Sequence, residues 1–187
     1  MPQPALQRVP PDQLQERVRE GWEKASALRG DATFFEVFGL RPDLYAWYAD
    51  RFYGEVFHGG RCEPRHKELL RLRLSSVHGC RFCNLGNRPA ALAAGLTEAD
   101  VDAIAAGNEE ALDPADAAVL ALAEQLVLTN ASGQLDTALH ARLSEFFDDG
   151  QILELGLTGA VLTGMARMLF VFDLVEREPT CPFGHET

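Results

Sequence analysis

Residues 63–104 read EPRHKELLRLRLSSVHGCRFCNLGNRPAALAAGLTEADVDAI, a run of helices punctuated by two short turns. Pro64 suits a first helical position, and Glu68, Leu69, Leu72 and Val77 follow it up to Gly79, a residue that ends helices readily. The Cys80 segment then leads into an alanine-rich helix ending at Gly95. Thr97 with Asp100 forms a capping-box start for the next short helix.

The same rhythm extends in both directions. Residues 1–10 are proline-rich and read as an arm able to reach a neighbouring subunit, and a helix opens near Pro11 and Asp12, running through Leu14, Val18 and Trp22 toward Gly30. Arg41-Pro42-Asp43 starts another, with Leu44, Tyr48, Phe52 and Val56 on one face until Gly59 and Gly60. Downstream, Pro114 opens a helix carrying Val119, Leu122, Ala123 and Leu126. Leu135, Leu139, Leu143 and Phe146 mark the next, and Ile152, Leu155, Leu162 and Leu169 the last. No stretch alternates with a period of two between hairpin turns, so the expected fold class is all-α, a compact multi-helix fold. The expected organisation is an arm and helix over 1–40, a helical domain over 41–178 and a tail over 179–187. A weak echo at an offset near fifty residues aligns Pro64, Leu70 and Leu72 with Pro114, Leu120 and Leu122, and Thr97 and Val101 with Asp148 and Ile152. A duplicated hairpin and two unrelated proline-started amphipathic helices explain it equally well.

Composition bounds the function. The 187 residues, 47% hydrophobic and 24% charged, are ordinary for one globular core. A net charge of −11 with no basic patch argues against nucleic acid and anionic membrane as partners. Leu155–Ala166 holds 12 uncharged residues between Glu154 and Arg167, which is short for a membrane span and reads as a core helix. The N-terminus lacks the apolar stretch of a secretory signal, so a reducing cytoplasm is the expected location. Paired cysteines there are more often redox or metal sites than staples.

Chemistry concentrates at Cys80 and Cys83. Two thiols three residues apart at a helix start can close a short disulfide, and the helix N-terminus favours the thiolate. Cys83 lies deeper toward the helix and is the natural nucleophile, with Cys80, in the turn, swinging in to resolve it. Glu68 precedes Cys80 by twelve residues. In a simple antiparallel hairpin it falls level with a residue near 90, roughly 10 Å along the axis from Cys83, too far to take a proton directly. A bridging group would sit at position 87, one turn beyond Cys83, which is Asn87.

Other readings of these residues stay open. The two cysteines suit a pair of small buried thiols. A zinc site would have to draw on Cys62, Cys181, His78 and His185, which lack a second close pair, and neither metal nor cofactor is expected. Glu68 suits an ordinary helix residue paired with Arg71 or Arg65. Of His66 and His78 only the latter is near the cysteines. Phe34, Phe35, Tyr45, Trp47 and Tyr48 suit a pocket, a core or an interface, and no role is assigned to them.

The pattern E-x11-C-x-x-C, followed by a helix ending in Ala-Ala-Gly-Leu-Thr, resembles the active-site segment of the alkylhydroperoxidase D and carboxymuconolactone decarboxylase superfamily, and the order of helices over about 40–175 is also similar. The resemblance implies an all-helical fold with the cysteine pair opening a core helix, and assembly into trimers or hexamers. It further implies reduction of hydroperoxides by an external dithiol, with Cys83 peroxidatic, Cys80 resolving and Glu68 in the proton relay. The family pattern has histidine four residues after the second cysteine, where this chain has Asn87. An amide orients a hydrogen bond or a water but does not exchange a proton near neutral pH. Pro89 is a second departure, since an interior proline clashes with the carbonyl of Leu85 and kinks the helix unless a new one starts there. The departures leave two alternatives to a peroxidase: a silent redox-sensing or scaffold protein, and a decarboxylase, against which the Cys-Arg-Phe-Cys segment argues.

Overall fold

The computed structural model describes residues 1–183, so His185 lies outside the described residues. Among these every regular element is helical. Nine α-helices run in chain order: α1 (Glu16–Arg29), α2 (Thr33–Phe38), α3 (Pro42–Ala46), α4 (Pro64–His78), α5 (Arg81–Ala93), α6 (Glu98–Ala106), α7 (Pro114–Leu126), α8 (Thr137–Leu143) and α9 (Asp149–Val171). Between α3 and α4 lies a twelve-residue π-helix, Trp47–His58.

Two core clusters organise the bundle. In the first, α4, α6, α7 and the first half of α9 close over Leu69, Leu70, Ile104, Leu120 and Leu155, all fully buried. Each such side chain contributes roughly 1.5–3 kcal/mol on leaving water. A charged bolt crosses this layer. The Lys67 ammonium, wholly buried, lies 2.5 Å from Glu154 on α9 and donates to the Val56 carbonyl at 2.7 Å. Glu154 in turn accepts the backbone N–H groups of Arg61 and Cys62 at 2.8 and 3.1 Å, fastening the end of the π-helix to α4 and α9.

The second cluster joins Val18, Phe34, Val37 and Tyr45 from the N-terminal third to Leu169, Phe170 and Leu174 from the far end of the chain, with Cys80 buried among them. Residues 1–40 therefore form one wall around the cysteines. The N-terminal arm folds back along its own chain. Gln3 N–H donates to Asp173 at 2.7 Å, Val9 N–H to the Glu36 carbonyl at 3.0 Å, and Arg8 pairs with Glu36 at 2.5 Å. The first helix also starts later than its pattern suggested, because Gln15 is extended and Leu14 plugs the core from the linker.

The helix expected through Leu44, Tyr48, Phe52 and Val56 changes its winding. An α-helix would align those four residues, but from Trp47 the chain winds with i to i+5 bonds, and this turns Phe52 and Phe57 inward. Leu44 is left exposed and Trp47 is 54% exposed. Tyr48 stacks on Phe52 with centroids 5.7 Å apart and meets Tyr53 edge-on at 5.1 Å. The wider turn thus assembles an aromatic ladder facing α4.

The last helix is also longer than its uncharged segment implied. At 23 residues α9 is long and apolar enough, by length and composition, to cross a membrane. Here its Ile152, Leu155, Thr158, Ala166 and Leu169 are buried in the bundle, alongside the Glu154–Lys67 pair. The positions of the fifty-residue echo are structurally matched. Pro64 and Pro114 both open helices, Leu70, Leu72, Leu120 and Leu122 are all buried, and Thr97 and Asp148 each head a complete capping box.

Candidate active site

Helix α4 ends at Gly79, whose φ of 64° is left-handed, and the N–H of Cys80 returns to the Ser75 carbonyl at 3.1 Å. This Schellman closure reverses the chain and delivers Cys80 to the N-cap of α5. A side chain at Gly79 would also collide with the C-terminal segment, since an added Cβ would lie 2.6 Å from Cys181 Cα. Cys80 caps the helix with sulfur, its Sγ accepting the Cys83 N–H at 3.2 Å. The two residues are joined as a disulfide, with Cα atoms 5.2 Å apart.

Their exposures reverse one expectation. Cys80 is fully buried at the cap, while Cys83 is partly exposed on the first turn of α5. The turn residue is thus fixed by its cap, by the core and by the C-terminal strap, in which Phe82 N–H donates to the Glu176 carbonyl and Glu178 N–H to the Gly79 carbonyl. Cys83 is the sulfur a solute meets first.

Asn87 sits one turn beyond Cys83, as expected, and is buried. Its amide donates to Ser75 Oγ at 2.9 Å, and that hydroxyl donates onward to the Leu72 carbonyl at 3.0 Å. Glu68 is buried on α4 and forms an ion pair with Arg71. Burial pushes its carboxyl above the usual range, and the Arg71 charge offsets part of that rise. Among the described residues no hydrogen bond links Glu68 to Asn87 or to Cys83, so the two run on separate local networks. Pro89 does not divide α5, which stays one helix through Ala93.

The remaining candidates have structural partners. His78 is buried, and its Nε2 accepts the Leu128 N–H at 3.0 Å, which commits the nitrogen that would take a proton. Burial pushes its imidazole down to about 4. His66 packs edge-on against Phe147 beside Asp116, away from the cysteines, and Arg65 also goes to Asp116 rather than to Glu68. Cys181 donates its thiol to the His78 carbonyl at 3.1 Å. Cys62 lies at the far end of α4, with its thiol on the Gln151 carbonyl at 3.4 Å, and burial together with Glu154 pushes it up to about 11.

Cys83, Asn87, Ser75 and His78 open onto a cavity of about 500 Å³. Its far wall is the aromatic ladder and the second core cluster, so Phe34, Phe35, Tyr45 and Tyr48 do line a pocket, and Trp47 does not. Three residues given no site role by the sequence also reach it: Arg29, Arg71 and Tyr53. Arg71 was discoverable as the i+3 partner of Glu68. Tyr53 was hidden by the π-helical winding, and Arg29 arrives from a helix more than fifty residues away in the chain, donating its Nε to the Phe82 carbonyl at 2.9 Å.

Residues 42–125 match the carboxymuconolactone decarboxylase family. A search of curated proteins gives no match. Among solved structures, the fold is similar to the alkylhydroperoxidase AhpD core of an uncharacterized peroxidase-related protein from Ralstonia eutropha JMP134. The TM-score is 0.73 and the identity 16%, over 96% of this chain and 94% of that one. The family match spans the segment from α3 to α7, and the likeness to the solved structure, at 16% identity, shows the fold.

Proposed function

We propose that the protein reduces hydroperoxides through a cycle of Cys83 and Cys80. The observation that carries this reading is the placement of the pair. Cys83 lies on the first turn of α5, partly exposed to a largely apolar cavity, with Cys80 buried at bonding distance behind it. The Cys83 thiolate, favoured by the helix N-terminus, attacks the distal peroxide oxygen. The O–O bond breaks, an alkoxide leaves and takes a proton to become the alcohol, and Cys83 is left as sulfenic acid. The Cys80 thiol then attacks that sulfur, releasing water and forming the disulfide. An external dithiol attacks the accessible Cys83 sulfur and leaves as its own disulfide, returning both cysteines to thiols. Such a cycle suits a reducing compartment such as the cytoplasm.

The proton for the alkoxide does not come from a histidine at position 87. Tyr48 and Tyr53, beside Arg71 in the same cavity, are available donors, and burial holds the Tyr48 phenol protonated well above its ordinary range. Glu68 keeps Arg71 neutralised and so acts on the site through it. Self-association into a trimer or hexamer completes the reading. Leu153, Leu157 and Val171 form an apolar stripe along α9, with Leu153 73% exposed, and a second copy would cover it.

The test is chemical trapping. With Cys80→Ser, peroxide should leave a sulfenic acid that dimedone labels on Cys83, and Cys83→Ser should abolish labelling. Labelling of Cys80 instead would reverse the roles, and none in either variant would dismiss the peroxidase reading. One observation favours a second reading, a redox sensor. Asn87 is tied to Ser75 and Glu68 to Arg71, so among the described residues no proton relay runs through these two to Cys83. A sensor would form the disulfide once per peroxide but show no sustained turnover with a dithiol.

A further inference from the structure

The charges around the cavity run against the composition of the chain. The sequence holds 28 acidic and 17 basic residues, yet among the described residues the charged side chains lining the cavity are Lys24, Arg29 and Arg71, with no Asp or Glu. Glu68 neutralises Arg71 from behind the wall. Lys24 and Arg29 form no ion pair among the described residues. Arg29 is half-buried, held by its Nε on the Phe82 carbonyl, with its guanidinium 4.5 Å from the centre of the Phe82 ring.

A cation withdrawn from water without a counter-charge is unfavourable, and a second cation nearby makes it more so. Burial first, and Arg71 second, both act against the charge on Arg29. An incoming anion relieves both. Phe34, Phe35, Tyr45, Met165 and Leu169 form a side of the wall that suits an apolar body, beside the polar groups of Ser75, His78 and Asn87. The volume fits a molecule of ordinary metabolite or drug size.

We infer that the cavity binds an organic anion, a carboxylate carried on an apolar body, with Arg29 and Lys24 receiving the carboxylate and the aromatic wall holding the body against Cys83. The inference deepens the proposed activity and rests on it for the reacting group, so the preferred substrate is a carboxylate-bearing organic hydroperoxide rather than hydrogen peroxide. The two cations also favour the Cys83 thiolate across the cavity. Arg71 has a supporting part, since Glu68 already takes its charge.

Binding is tested apart from chemistry by using the disulfide form. Calorimetric titration at low salt compares 4-isopropylbenzoate with its primary amide, a pair alike in shape and different in charge. The carboxylate should bind at least ~10-fold more tightly, lose that margin as salt is raised, and lose it in Arg29→Gln. Arg29→Lys should keep most of it. Lys24→Gln, at an exposed position that does not threaten folding, should weaken it ~3-fold. Equal affinity of the two probes, or a preference untouched by both Arg29→Gln and Lys24→Gln, overturns the inference. Cumene hydroperoxide and its para-carboxylate derivative then test turnover on the reduced protein, and the carboxylate should react faster. Equal rates overturn the substrate assignment while leaving the peroxidase reading intact. Should neither hydroperoxide oxidise Cys83 while the Arg29-dependent carboxylate preference holds, the peroxidase reading falls and the anion site stands.

Discussion

Replacing Gly79 by alanine probes the turn on which the site depends, and Gly30 supplies an internal control. Both glycines cap helices in the left-handed region, with φ of 64° and 70°. A methyl group at Gly30 meets no atom within 4 Å, so Gly30→Ala reports backbone strain alone, roughly 1–2 kcal/mol. At Gly79 the same group would lie 2.6 Å from Cys181 Cα and 2.8 Å from its Cβ. Those atoms are backbone and its first carbon, unable to swing aside as a side-chain tip would. Overpacking of this kind adds ~1–3 kcal/mol. In a domain of this size each kcal/mol lowers the melting temperature by roughly 2–4 °C. In reducing buffer Gly79→Ala should therefore melt at least ~2 °C below Gly30→Ala, and its Cys181 should react faster with iodoacetamide as the strap lifts. Equal melting temperatures for the two variants would refute the packing of residues 174–183 against the cysteine turn.

Further outcomes follow from the same geometry. In the reduced native protein at pH 8, Cys62 should be alkylated far more slowly than Cys83, because burial and Glu154 push its thiol up to about 11; comparable rates by peptide mass mapping would contradict this. His78 is held neutral, with a folded value of about 4 against 6.5 unfolded, so its contribution is fully present above 6.5 and is lost as pH falls toward 4. The difference corresponds to about 3 kcal/mol. Urea unfolding of His78→Gln should accordingly depend less on pH between 7 and 4 than the parent does, and an unchanged slope would remove His78 from the account. Asn87→His should give at most a small gain in peroxide rate, since Glu68 is committed to Arg71 and the new ring displaces the bond to Ser75. A stopped-flow gain of ~100-fold would mean that the relay does pass through position 87.

Much of this architecture was legible in local signals. Pro64, Pro114, the Thr97–Asp100 box and Gly79 act on their own backbone neighbours, and each does what its residue type dictates. The cysteine pair at the opening of α5 was legible for the same reason. What local pattern does not encode is the π-helical winding after Trp47, because its apolar spacing also satisfies an α-helix until tertiary packing of Phe57 selects the wider turn. The cavity was hidden likewise. Arg29, Tyr53 and Met165 come together only when α1 closes on α5 and the π-helix and α9 close on α4, and no spacing within one segment announces that. Asn87 was placed correctly one turn from Cys83, but its partner, Ser75, lies across the hairpin.

The most direct measurement is intact-mass analysis of the fully reduced protein given one equivalent of cumene hydroperoxide, followed by dithiol-driven turnover. The account predicts formation of one equivalent of the alcohol and loss of two hydrogens mapping to a Cys80–Cys83 disulfide. Consumption of peroxide should then continue as long as dithiol is supplied. A protein that stays reduced, or that is oxidised at Cys62 or Cys181 while Cys80 and Cys83 remain thiols, would contradict it.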